Sequence, residues 1–181
     1  MHLHAADEPR GALVLGHGAG GGVGARDLTT VRDVALAEGF TVALVEQPYR
    51  VAGRRSPAPA MQLDAAWVAV IAALGLDGPL VTGGRSSGAR VACRTAAQTG
   101  AAGVLCLAFP VHPPGRPEKS RLAELDAVRV PVLVVQGTRD PFGMPPRRRG
   151  RTVVQVEADH ALRTDVSGAV RPWLRRRLRR R

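Results

Sequence analysis

The chain has 181 residues, 45% of them hydrophobic, which suits one domain with a buried core and excludes a disordered polymer. Its formal net charge is +11, but the excess sits in Arg147–Arg149 with Arg151 and in a basic tail, residues 175–181, leaving a nearly neutral body. No apolar run is long enough to span a bilayer, and the start Met1–Glu8 lacks a basic-then-apolar leader, so a cytoplasmic protein without membrane association is expected.

In chain order, Leu13-Val14-Leu15 is the first short apolar run and ends in glycine. Asp27 is placed to cap a helix running through Glu38, with Gly39 after it. Val42–Val45 is the next run. Leu63, Ala66, Trp67, Val70, Ile71 and Leu74 then mark one apolar helical face, which Gly75 stops. Leu80-Val81-Thr82 precedes Gly83-Gly84, and a small-residue helix is expected over Gly88–Thr99. Val104–Phe109, Val132–Val135 and Val153–Val156 complete the apolar runs. Val166, Val170, Trp173 and Leu174 mark a terminal helix that Pro172 should kink or delay. Short β-branched runs alternating with helices predict a single α/β domain over residues 1–181, with a mainly parallel sheet of about six strands and helices on both faces. Function in such a sheet collects at the C-terminal strand ends.

The segment with the clearest chemistry is Gly84-Arg85-Ser86-Ser87-Gly88, a G-x-S-x-G between a strand and a helix. That context describes a nucleophile elbow: small flanking residues permit a strained turn that lifts the Ser86 hydroxyl above the sheet. A serine needs a base, and the base needs a carboxylate to orient it. Asp140 follows the Val132–Val135 run, and His160 follows the Val153–Val156 run and is the only histidine after Asp140, so the order Ser, acid, His is kept. Asp159 is the weaker candidate acid, because neighbours in sequence point apart. The loop Gly16-His17-Gly18-Ala19-Gly20 follows the first run; its Ala19 N–H, with the Ser87 N–H, would form an oxyanion hole. His17 is expected to brace this loop. Tyr49, Arg50, Arg85 and His112 fall near strand ends and are candidate substrate-binding residues; an arginine there would suit a carboxylate.

Gly16-x-Gly18-x-x-Gly21 with Glu46 also imitates a dinucleotide site. Against it, Gly22–Arg26 intervenes before the helix, and Ser86, Asp140 and His160 would be left unexplained. There is no G-K-[ST] for phosphate, and Cys93 and Cys106 lie in apolar or alanine-rich stretches without metal spacing, so no cofactor and no metal are expected.

Several segments together resemble the small, lid-less, dienelactone-hydrolase-like branch of the α/β-hydrolases, which includes bacterial proteins and testis-expressed animal relatives. They are Leu15–Gly20, Gln47–Arg55, Gly83–Arg90, Phe109–Gly115 and Gln136–Phe142. The resemblance implies Ser86 as nucleophile, Asp140 as acid, His160 as base, and a small-molecule acyl substrate in an open site. Two features depart from it: Ser87 stands where many relatives have methionine, and Gly143–Gly150 replaces a full helix before the last strand, leaving the setting of His160 for the structure to define. The expected function is a serine esterase acting through an acyl-enzyme. The alternative is a catalytically silent scaffold whose arginine-rich tail binds an anionic partner. With aromatics at 3%, a nucleic-acid-stacking face is not expected.

Overall fold

A computed structural model describes residues 1–178. Its single sheet has seven strands in the order β1-β3-β2-β4-β5-β6-β7: β1 (His2–His4), β2 (Gly11–Gly16), β3 (Phe40–Val45), β4 (Leu80–Arg85), β5 (Gly103–Leu107), β6 (Val132–Gly137) and β7 (Arg151–Val156). All neighbours are parallel except β1, which runs antiparallel to β3 with Leu3 opposite Ala43. The expected six are the parallel strands; β1 is the addition. It is three residues long with two histidines, too short and polar to show a period of two.

Two helices cover one face and four the other. α1 (Arg26–Ala37) and α6 (Ser167–Leu178) bury Leu28, Val31, Val170, Trp173 and Leu174 against Leu13, Leu15 and Leu133. α2 (Pro48–Val51), α3 (Ala60–Leu74), α4 (Ser87–Thr95) and α5 (Leu122–Asp126) bury Tyr49, Leu63, Trp67, Val91 and Leu125 against Val14, Val104 and Val134. Successive residues of β2 therefore serve opposite cores, which is why its whole length is apolar. Gly75 ends α3 in the left-handed conformation at φ 52°. The fourth helix stops at Thr95, and residues 96–100 continue as turns. Pro172 lies within α6, which begins at Ser167 and runs through it. Cys93 and Cys106 are free thiols, buried together with sulfurs 3.6 Å apart. No helix among the described residues is long and apolar enough to cross a membrane.

As the short Gly143–Gly150 segment leads one to expect, no helix stands between β6 and β7: residues 138–150 form an irregular crossover, and β7 still docks parallel, with Val132 opposite Arg151. Ion pairs hold it: Arg151, itself buried, and Arg148 both reach Asp126 at the end of α5. Arginines of α6, inside and before the basic tail, are engaged as well. Arg171 and Arg175 each bind the buried Glu38 carboxylate at 2.7 Å, and Arg177 lies over the Trp173 ring. The two pairs to Glu38 fasten α6 to the end of α1. Arg179–Arg181, the rest of the basic tail, lie outside the described residues.

The crossing of β2, β4 and α4 is the tightest point of the fold. A Cβ on Gly84 or Gly88 would stand 2.2 Å from the Gly16 carbonyl oxygen, so only glycine fits at either position. Gly88→Ala should therefore destabilise the protein by about 3 kcal/mol, the upper end of what overpacking costs. Urea unfolding measures it, and a loss below about 1 kcal/mol would show that the sheet and α4 can separate freely.

Candidate active site

Ser86 sits between β4 and α4 at φ 50°, ψ −105°, a strained conformation for a residue with a Cβ. Its N–H donates to Leu107 O at 2.9 Å, tying the turn to β5. The glycines at 84 and 88 let β4 and the N-terminus of α4 close on the Gly16 backbone, so the elbow is built by packing as much as by the turn.

Three strand ends converge on this serine. The His160 ring, in the loop after β7, places Nε2 3.0 Å from Ser86 Oγ and Nδ1 2.9 Å from Asp140 Oδ2. Asp140, in the loop after β6, has its side chain only 1% exposed. A carboxylate accepts at Nδ1, so the proton belongs there and Nε2 faces the serine hydroxyl as an acceptor. Asp140 is itself positioned: Oδ1 accepts the Phe142 N–H at 2.8 Å and Oδ2 accepts Gln136 Nε2 at 2.9 Å. Gln136 also donates to the carbonyls of Phe109 and Gly143, so one buried amide joins the ends of β5 and β6. Gln136 opens the Gln136–Phe142 segment, where sequence reasoning assigns a role to Asp140 alone; its own signal is a polar residue continuing the apolar run of β6. Phe142 stacks on His160 with ring centroids 4.1 Å apart and restricts the imidazole on that side.

The loop after β2 carries Ala19 beside the elbow, and Ala19, Ser86 and Ser87 line one cavity. Neither the Ala19 nor the Ser87 N–H donates to an acceptor among the described residues. His17 is buried, with Nδ1 2.7 Å from Gly18 O and Nε2 accepting the Gln47 N–H at 3.0 Å. Burial pulls its pKa below the usual histidine value, in keeping with a neutral ring. Tyr49 Oη donates to Ala19 O at 3.0 Å. The loop is thus braced from β3 and α2, and its N–H groups are left unoccupied.

The candidate substrate-binding residues stand elsewhere. Tyr49 is buried beneath the Ala19 loop, and Arg50 is exposed on α2. His112 turns Nδ1 to Pro113 O and packs against Gly143, supporting the Asp140 loop. Arg85 lies behind the serine: its Nη2 donates to His160 O at 2.9 Å, and its Nε is 3.1 Å from Asp27 Oδ2. Asp27 is correspondingly not a helix cap. It lies inside the first turn of α1, 1% exposed, with Ala25 at the cap position. None of the four lines the cavity at Ser86. A strand-end location fixes where a backbone is, but not where its side chain points.

That cavity has a volume of about 310 Å³. Pro57, Ala58, Leu63 and Phe142 give it apolar walls, and Arg90, Arg94 and Arg121 give it a basic one. Residues 108–121, after β5, form a loop leading directly to α5 with no helical insertion above the serine. No group of His, Cys, Asp and Glu among the described residues could hold a metal ion.

A family model described as an alpha/beta hydrolase domain matches residues 9–166. No curated protein matches the chain. Solved structures share the fold at low identity. Est1E from Butyrivibrio proteoclasticus superposes with a TM-score of 0.75 at 16% identity, covering 97% of this chain and 93% of that one. XC6422 from Xanthomonas campestris, described as an α/β serine hydrolase without a lid, gives 0.76 at 21%, with coverages of 96% and 87%. The monoacylglycerol lipase of Paleococcus ferrophilus gives 0.69 at 17%, covering 98% of this chain and 100% of its own.

Proposed function

The chain belongs to the alpha/beta hydrolase domain family, and from that premise we propose that it is a serine hydrolase cleaving small esters through an acyl-enzyme. The observation that carries this reading is the continuous contact Ser86 Oγ, His160 Nε2, His160 Nδ1, Asp140 Oδ2, at 3.0 and 2.9 Å, on a serine held at positive φ. In this mechanism Oγ attacks the acyl carbon as His160 Nε2 removes its proton, and Asp140 stabilises the imidazolium. The Ala19 and Ser87 N–H groups receive the oxyanion; losing one such donor typically costs about 10²–10³ in rate. The tetrahedral adduct collapses, the C–O bond to the alcohol breaks, and His160 returns its proton to the leaving oxygen. Water then adds to the acyl-enzyme with His160 as base, releasing the acid and restoring Ser86. Two of the neighbours, one described as a serine hydrolase without a lid and one as a monoacylglycerol lipase, support the reaction class, and the open cavity suits a small substrate. No step requires a cofactor.

Labelling with a fluorophosphonate tests the reading. Wild type should be labelled at Ser86, with labelling absent in Ser86→Ala and strongly slowed in His160→Ala. A folded wild type that resists the probe would leave the silent-scaffold reading in its place.

A further inference from the structure

The basic wall of the cavity is not electrically balanced. Glu124 gives both carboxylate oxygens to Arg90, at 2.8 and 2.6 Å, and a longer contact of 3.3 Å to Arg94. Asp64 gives both of its oxygens to Arg94, at 2.8 and 2.6 Å. Two carboxylates are therefore consumed by two guanidinium groups, and the third cation, Arg121, is left over.

Arg121 stands at the start of α5, where its backbone N–H is anchored to Val111 O at 2.7 Å. Its half-buried side chain lines the cavity with Ser86, yet among the described residues it makes no hydrogen bond and no ion pair. Burial and the neighbouring Arg90 draw its pKa down, and Glu124, already bonded to Arg90 and Arg94, offsets this only in part. Desolvating a guanidinium without a partner is costly, and the cost is repaid when an anion arrives. A planar fork of donors suits a carboxylate, which it grips in two places. The apolar lining, Pro57, Ala58, Leu63 and Phe142, suits a short hydrocarbon between two polar ends.

Resting on the hydrolase reading, we propose that the preferred substrate is an ester of a short dicarboxylic acid, with its free carboxylate held by Arg121 while its ester carbonyl faces Ser86. This makes Arg121 the specificity residue of the site. Arg90 and Arg94 form its rigid backing, each held by a forked pair to a carboxylate.

The para-nitrophenyl esters of glutaric acid (free at its other end) and valeric acid have acyl chains of equal length and differ in that carboxylate. Wild type should favour the glutarate half-ester in kcat/KM by roughly ten- to a hundred-fold, the range of a charge-assisted hydrogen bond. Arg121→Met should bring the ratio to about one, and Arg121→Lys should keep part of it. Circular dichroism should be unchanged, because the Arg121 side chain holds no other element. Calorimetric titration of glutarate into Ser86→Ala protein reads binding without turnover, and adding Arg121→Met should weaken it at least tenfold. Equal rates for the two esters in wild type, an unchanged ratio in Arg121→Met, or glutarate that does not bind would each overturn the assignment. If Ser86 reacts with fluorophosphonate in these cases, only the role of Arg121 falls. If Ser86 is unlabelled and neither ester is cleaved, the hydrolase reading falls and the substrate assignment with it.

Discussion

Ser86→Ala, His160→Ala and the double variant should all retain nearly the same residual esterase rate, roughly 10⁴- to 10⁶-fold below wild type. The reason is the geometry of a single proton path. Nε2 is 3.0 Å from Oγ, and Nδ1 is fixed by a carboxylate that has its own two donors. Removing the base leaves a hydroxyl that is a weak nucleophile, and removing the hydroxyl leaves the base nothing to activate. Once either is gone, the second loss should cost almost nothing. What remains is substrate binding and the oxyanion donors, which neither substitution touches. Initial rates on para-nitrophenyl valerate measure all three variants, with circular dichroism to establish folding. Multiplicative losses would mean that Ser86 and His160 act independently, and the shared mechanism would be wrong.

The largest stability effect outside the glycine crossing should come from Asp27→Ala. Asp27 is 1% exposed and Arg85 17% exposed, and the two face each other at 3.1 Å. Removing the carboxylate leaves a buried guanidinium with the His160 carbonyl as its remaining polar partner, and breaking a buried pair from one side costs about 3–5 kcal/mol. Burial, the strongest influence on Asp27, raises its pKa in spite of Arg85, so the pair is held in place at a desolvation cost. Replacing both partners with apolar residues, Asp27→Leu with Arg85→Met, should therefore recover most of the lost stability in urea unfolding. It should not recover activity, because the donor to His160 O is gone and the loop that carries the base is released. Full activity in the double variant would show that the arginine contributes to folding alone.

Much of this architecture can be read from the chain because its signals are local. A glycine-flanked serine between an apolar run and a helix marks the elbow, and each parallel strand announces itself as a β-branched run. The approach of Asp140 and His160 to Ser86 follows from which strand ends they occupy, and the structure brings the three within hydrogen-bond distance. What is not legible depends on side-chain direction across long sequence separations. Arg85 is a candidate for the pocket because it falls near a strand end, but its side chain turns toward Asp27 of α1. Tyr49 has the residue type of a pocket lining, yet its hydroxyl is spent on the Ala19 carbonyl. Arg121 sits in a stretch with no periodicity and no motif, and its lack of a bonded carboxylate follows from two forked ion pairs formed by other residues. The edge strand β1 leaves no signal in the sequence, because three residues cannot establish an alternation.

The irregular crossover into β7 has a consequence for how the protein would fail. Asp140 lies at its start, and His160 hangs from the far end of the outermost strand, whose residues are only partly covered. Edge strands open at a fraction of the free energy needed to unfold a domain, because fewer contacts must break. Fraying at this border separates base from nucleophile while β2, β4 and β5, with the serine between them, remain intact. Heat inactivation should therefore run ahead of loss of helical signal, and amide exchange in β7 ahead of exchange in β4. Ser86 belongs to the durable centre of the molecule, and Asp140 and His160 belong to its perishable margin.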